Sequence, residues 1–200
     1  MRKSLVLGGI PLLCLSAGQP VARAGPIGPA ARPAASEVCV MTTSLGKMVF
    51  ELFEADAPKT VAQFKSLVRK GFYDGKDFYR VVRGHVIQAG GGGAPALPPE
   101  FNTRPHIPGT LGLGRTGDEW SGDSEIYICV APRPHLDGRY AVFGQLVEGL
   151  DVLERIAAVP VEERWEGPDK KMAMHRPLEP VVIYKVRCYI VSGIEEIWVK

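Results

Sequence analysis

Arg80 sits inside the run Phe72–Gly91, FYDGKDFYRVVRGHVIQAGG, with aromatic residues just before it and Gln88 eight positions after it. Arginine stays charged and presents several N–H donors in a rigid fork. On a solvated strand edge it would only close an ion pair with Asp77 or Glu125, which contributes little when exposed. His85, His106, His135 and His175 show no HxxxH or CxxC spacing, so no metal is expected. Gly90–Gly93 is not followed by Lys-Ser/Thr, and it reads as a close-packed turn rather than a phosphate loop. No cofactor is implied.

The elements that must position these residues are mostly strands. Val38–Thr43 and Met48–Phe53 are β-prone runs joined at Ser44-Leu45-Gly46-Lys47, which predicts a hairpin. Asp56 can cap the next helix and Pro58 fits its first turn. Val61, Phe64, Leu67 and Val68 share its apolar face, and Gly71 ends it. Short β-like runs follow at Phe78–Val82, Val86–Gln88, Thr110–Leu113, Ile126–Val130 and Ala141–Phe143. A second helix is predicted over Leu150–Ala157, with Pro160 preventing extension, and a last long strand over Val181–Val191. Many short strands with two helices and no alternating βαβ pattern favour a mainly β fold, a closed antiparallel barrel with helical caps.

At the N-terminus, Met1–Lys3 is a short basic start, Ser4–Leu15 an apolar run, and Ala22-Arg23-Ala24 a pair of small residues at signal-peptidase positions. Residues 1–24 therefore read as a cleaved signal peptide, and the protein as exported, periplasmic or secreted. A run this short does not reach the roughly 20 apolar residues a bilayer span needs, so the mature form is expected to have no span. Residues 25–36 read as a flexible Pro/Ala/Gly-rich leader, residues 37–191 as one domain, and 192–200 as a tail of unassigned role. Removing Arg2, Lys3 and Arg23 leaves 21 basic against 22 acidic residues. That balance offers no electrostatic case for nucleic acid or an anionic membrane as partner.

Cys39, Cys129 and Cys188 remain after cleavage, an odd number and too few for a disulfide scaffold. Cys129, in an apolar run, reads as a buried thiol acting as a small hydrophobe. Whether Cys39 and Cys188 pair is left open, because the sequence does not supply their separation.

The chain resembles the cyclophilin family of peptidyl-prolyl isomerases over nearly all of Val38–Tyr189. TTSLGKMVFELFEADAPKTVAQF is similar to the family's opening hairpin and first helix, and GFYDGKDFYRVVRGHVIQAGG to its catalytic strand pair. PEFNTRPHIPGTLGLGR is similar to its middle and HLDGRYAVFGQLVEGLDVLERI to its closing segment. The resemblance implies an eight-stranded antiparallel β-barrel, closed and capped by two α-helices. It implies isomerisation of X-Pro bonds in unfolded or extended polypeptides by a monomer assisting protein folding. Arg80 matches the catalytic arginine and Gln88 the glutamine that supports it. Leu136 matches a pocket residue, and Gly114 and Arg115 resemble the bacterial version of the backbone-binding segment. Val161–Pro177 and Ser192–Lys200 fall outside the resemblance.

The groove departs from the family pattern at several positions. His85 and Val86 stand where an aromatic residue and methionine are common. His85 would make the proline pocket more polar, and its protonation would alter activity over roughly pH 5.5 to 8. Tyr127 replaces a phenylalanine on the pocket floor, and Glu125 replaces a substrate-binding glutamine, losing an amide donor and adding charge. His135 occupies the place of the tryptophan that helps bind cyclosporin, so weak cyclosporin affinity is expected. Tyr140 stands where eukaryotic members carry histidine. His85, Val86 and Glu125 favour a rival, a catalytically weak or inactive binding module for proline segments; Arg80 and Gln88 favour the enzyme.

Overall fold

The computed structural model describes residues 36–191. The expected signal peptide, the leader up to residue 35 and the tail 192–200 lie outside the described residues. Strand β1 (Ser36–Thr43) turns through Ser44-Leu45 into β2 (Gly46–Leu52), the predicted hairpin. Helix α1 (Pro58–Arg69) buries Val61, Phe64, Leu67 and Val68, and the Phe64 ring meets those of Tyr73 and Phe143 at 5.4 and 5.2 Å.

The start of α1 differs from the expectation. Asp56 does not cap it; its carboxylate accepts from Arg104 Nε at 2.8 Å. The free N–H groups of Lys59 and Thr60 donate instead to the carboxylate of Glu100, at 2.9 and 2.8 Å. A distant acid thus satisfies the donors a local cap would have taken, and places negative charge at the positive end of the helix. At the other end Gly71 has φ +68°. Its N–H bonds Val68 O while Phe72 N–H bonds Leu67 O, a left-handed glycine closure.

The remaining strands are β3 (Arg80–Val81), β4 (Val86–Ala89), β5 (Thr110–Leu113), β6 (Ile126–Cys129) and β7 (Val142–Glu148), followed by helix α2 (Leu150–Ala157). After α2 come four two-residue strands, β8 (Val161–Glu162), β9 (Trp165–Glu166), β10 (Met172–Ala173) and β11 (Arg176–Pro177), and then β12 (Ile183–Val191). Eight strands form one antiparallel sheet in the order β12-β1-β2-β7-β5-β6-β4-β3. Cys39, Met41, Met48, Phe50, Ile87, Leu111, Ile128 and Phe143 from this sheet, with the inner faces of α1 and α2, make the main core.

The sheet is an open half-barrel, which corrects the expectation of a closed one. β3 and β12 are its two edges. β3 is two residues long, and its outward donor, Val81 N–H, is already taken by His175 O at 2.9 Å. Contact between the edges is limited to the segment before β3, where Gly75 N–H reaches Ile183 O, Ile183 N–H reaches Lys76 O and Phe78 N–H reaches Val181 O. Strand edges here are satisfied by neighbouring loops rather than by ring closure.

Cys39 and Cys188 face each other in register across β1 and β12 and form a disulfide. Cys129 is free and buried, and burial pushes its thiol up to about 12.

Candidate active site

β3 and β4 pair with Arg80 opposite Gln88, so an eight-residue spacing becomes a side-by-side contact. Arg80 Nη1 donates to Gln88 Oε1 at 2.7 Å, and Gln88 Nε2 donates to Glu125 Oε1. Glu125 Oε2 in turn accepts from the Tyr79 hydroxyl at 2.5 Å. On its other side, Arg80 Nε donates to the backbone carbonyl of Ala173 at 2.7 Å. Arg80 is therefore held at two points, neither of them Asp77 or Glu125. Among the described residues, none accepts from its Nη2, which leaves two N–H donors free for a ligand. Burial draws the guanidinium below its ordinary range, while Tyr79 and Glu125 pull it back up; arginine keeps its charge under such a balance.

Gln88 is wedged between a cation and an acceptor, and only one amide orientation serves both. Its oxygen faces Arg80 and its nitrogen faces the carboxylate of Glu125. Glu125 also explains a glycine: a Cβ on Gly114 would lie 2.3 Å from Glu125 Oε1. The glycine run after β4 closes equally tightly. A Cβ at Gly90 would meet Ser124 O at 2.4 Å, and one at Gly93 would enter the Phe72 ring.

A groove of about 630 Å³ opens over this network. It brings together Arg80, Gln88, His85, Val86, Gly114, Arg115, Glu125, Tyr127, Leu136 and Tyr140. His135 is not part of its lining; it is exposed and stacks on His85 with ring centroids 6.1 Å apart. Val86 and Tyr127 form a buried apolar floor with Cys129, against which Tyr140 packs. Arg115 lies over the Tyr140 ring at 4.6 Å.

His85 Nδ1 is buried and has no hydrogen-bond partner among the described residues. Burial, with Arg80, Arg133 and His135 nearby, holds the ring down to about 4. The imidazole is consequently neutral through the near-neutral range, and the expected pH response moves to more acidic conditions.

Several groove residues escaped the sequence reading. Tyr79, beside Arg80, also lines the groove, and its hydroxyl donates to Glu125. His106 is not in the groove lining; it is 2% exposed and supports the pocket floor from beneath. Its ring bonds Asp137 Oδ1 through Nδ1 at 2.7 Å and the Tyr127 hydroxyl through Nε2 at 2.8 Å. A carboxylate only accepts, so Nδ1 carries a proton, and Nε2 shares a hydrogen bond with the Tyr127 hydroxyl. The extra oxygen of Tyr127, relative to phenylalanine, is thus satisfied beneath the pocket. The hydrogen bond from His106 Nδ1, with the one from the His106 backbone N–H, draws Asp137 below its usual range. Met172 and Met174 complete the groove from the segment after α2, and no local signal marked them.

The family model for cyclophilin type peptidyl-prolyl cis-trans isomerase/CLD matches residues 38–188. A peptidyl-prolyl cis-trans isomerase of Synechococcus elongatus is 42% identical over 113 residues, covering 53% of this chain and 77% of that protein. A second, from Schizosaccharomyces pombe, is 34% identical over 157 residues, 72% of this chain and 94% of that protein. Among solved structures, a Cryptosporidium parvum cyclophilin type isomerase crystallised in the presence of the dipeptide Ala-Pro shares the fold. Its TM-score is 0.67 at 23% identity, over 76% of this chain and 98% of that one.

Proposed function

The chain belongs to the cyclophilin-type peptidyl-prolyl cis-trans isomerase family, and from that premise we propose that it isomerises X-Pro bonds with Arg80 as its catalytic cation. Rotation about such a bond faces a barrier of about 18–20 kcal/mol because the amide is resonance-stabilised, and unaided it takes tens to hundreds of seconds. Resonance is lost in the twisted state, where the prolyl nitrogen becomes pyramidal and its lone pair localises. A cation that donates to the prolyl carbonyl and toward that lone pair favours the twisted state over the planar one. Each 1.36 kcal/mol of that difference contributes about tenfold in rate, whereas uniform binding leaves turnover unchanged.

The observation that carries this reading is the fixation of Arg80, through Nε to Ala173 and Nη1 to Gln88, beside a groove with an apolar floor. Val86, Tyr127 and Leu136 supply surface for a proline ring, and Gly114 and Arg115 supply backbone for the flanking chain. The protein as a monomer needs no cofactor or metal for this chemistry.

Two extensions complete the proposal. Export to an oxidising compartment is supported by the basic, apolar and small-residue pattern of Met1–Ala24 and by the Cys39–Cys188 disulfide; the clients are then exported polypeptides. Weak cyclosporin binding is supported by the exposed imidazole of His135 at a position where the family carries an indole.

The test is the cis-to-trans rate of short X-Pro peptides with wild type and Arg80→Ala at pH 7. Loss of a charge-assisted contact made only in the twisted state should lower kcat roughly ten- to a hundredfold. The unpartnered His85 Nδ1 and the charge of Glu125 favour the second reading, a groove that binds without turnover. Peptide binding by a folded wild type that accelerates nothing would establish that reading instead.

A further inference from the structure

Residues 161–177 carry none of the motifs quoted for the family resemblance, although the family model spans them, and the fold carries them to the groove. β8 pairs with β11 and β9 with β10, making a hairpin in two short ladders. Its returning arm runs along β3, taking Val81 N–H at His175 O and Arg80 Nε at Ala173 O. Met172 and Met174 flank Ala173 and both line the groove, as alternate residues of an extended segment can. They are what the hairpin contributes to that wall, and Met172 is 48% exposed, an apolar side chain held open beside a cation.

Hydrogen bonds order the groove from end to end. Ala173 O, Arg80, Gln88 and Glu125 follow one another, and Glu125 lies against Gly114. The methionines thus stand at the Arg80 end and Gly114 at the other. The next step rests on the proposed donation from Arg80 to the prolyl carbonyl. That carbonyl carbon is bonded to the nitrogen of the residue after proline, whose Cα is about 3.8 Å from the prolyl Cα. The following residue is consequently held beside the guanidinium, at the end bounded by Met172 and Met174.

We infer that Met172 and Met174 form a subsite for the side chain of the residue immediately after proline, and that it takes apolar side chains, aromatic ones included. The methionine side chain is unbranched and polarizable, so it adapts to aliphatic and aromatic surfaces alike.

The experiment measures kcat/KM for peptides identical except for Phe, Leu, Gly or Glu after proline, using wild type, Met172→Lys and the double variant Met172→Ala/Met174→Ala. Wild type should favour Phe and Leu over Gly roughly three- to tenfold, as expected for partial burial of an apolar side chain. In the double variant that ratio should fall to within about twofold. Met172→Lys, at a half-exposed position, should shift preference from Phe toward Glu, and it decides the matter alone should the double variant lose its cooperative thermal transition. Ratios unchanged in the variants, or variant effects that track the residue before proline, would overturn the inference. A wild type that accelerates no peptide would overturn the isomerase reading itself, whereas acceleration with no preference after proline would overturn only the subsite.

Discussion

Gln88 Oε1 accepts from Arg80 Nη1 at 2.7 Å while the two residues face each other across β3 and β4. Because its amide nitrogen is committed to Glu125, Gln88 cannot turn its donor toward the cation. On the proposed reading it is a positioning residue that keeps the guanidinium aimed at the groove. Gln88→Leu should lower kcat about tenfold, the scale of one hydrogen bond to a charged group, with a smaller change in KM. Steady-state kinetics on one X-Pro peptide will check this, and a fall confined to KM would assign Gln88 to substrate binding.

Glu125 joins Gln88 to Tyr79 and adds a negative charge beside the segment expected to hold the chain before proline. Peptides with Lys before proline should therefore react faster than those with Glu, and Glu125→Gln should shrink that ratio about fivefold. The figure follows from a near-surface charge interaction of about 1 kcal/mol. The effect should fade with added salt. An identical Lys/Glu ratio in both proteins would show that this carboxylate faces only its protein partners.

His85 is held down to about 4 from an ordinary 6.5, so between those values the unfolded chain binds a proton that the folded one refuses. Stability contributed by the neutral ring is complete above the unfolded value and is lost as pH falls toward the folded one. His85→Phe should therefore lose less stability than wild type between pH 7 and 4, measured by denaturant titration at several pH values. Isomerase rates should be insensitive to this residue's titration above about pH 5. Parallel stability curves for the two proteins would contradict both statements.

The disulfide Cys39–Cys188 joins residues 149 apart in sequence and ties the edge strand β12 to β1. Cross-linking so long a loop restricts the unfolded chain, a contribution of typically about 2–4 kcal/mol. Reduction, or the pair Cys39→Ser/Cys188→Ser, should lower thermal stability accordingly. Cys129, buried with a raised thiol, should stay unmodified by thiol reagents in the folded protein, and mass spectrometry will report both. A reduced protein with unchanged Tm would show that the strand pairing alone holds the edge.

Local pattern was enough for much of this molecule. The apolar face of α1, the extent of α2, the first hairpin and the strand Thr110–Leu113 follow from periodicity and from Gly and Pro punctuation, which act within a few residues. The grouping of Arg80, Gln88, Glu125 and Tyr127 was legible through motif similarity, and the fold assembles them in one groove. What acts across large separations was not legible. Glu100 caps α1 in place of Asp56, His106 anchors Tyr127 from below, His175 takes the outward backbone donor of β3, and Ala173 holds the Arg80 side chain. Each depends on a backbone or side-chain group meeting a partner that only the folded topology brings near. Composition sets which residues can donate, accept or bury, but which of them meet, and how far burial displaces an imidazole such as His85, is decided by tertiary packing.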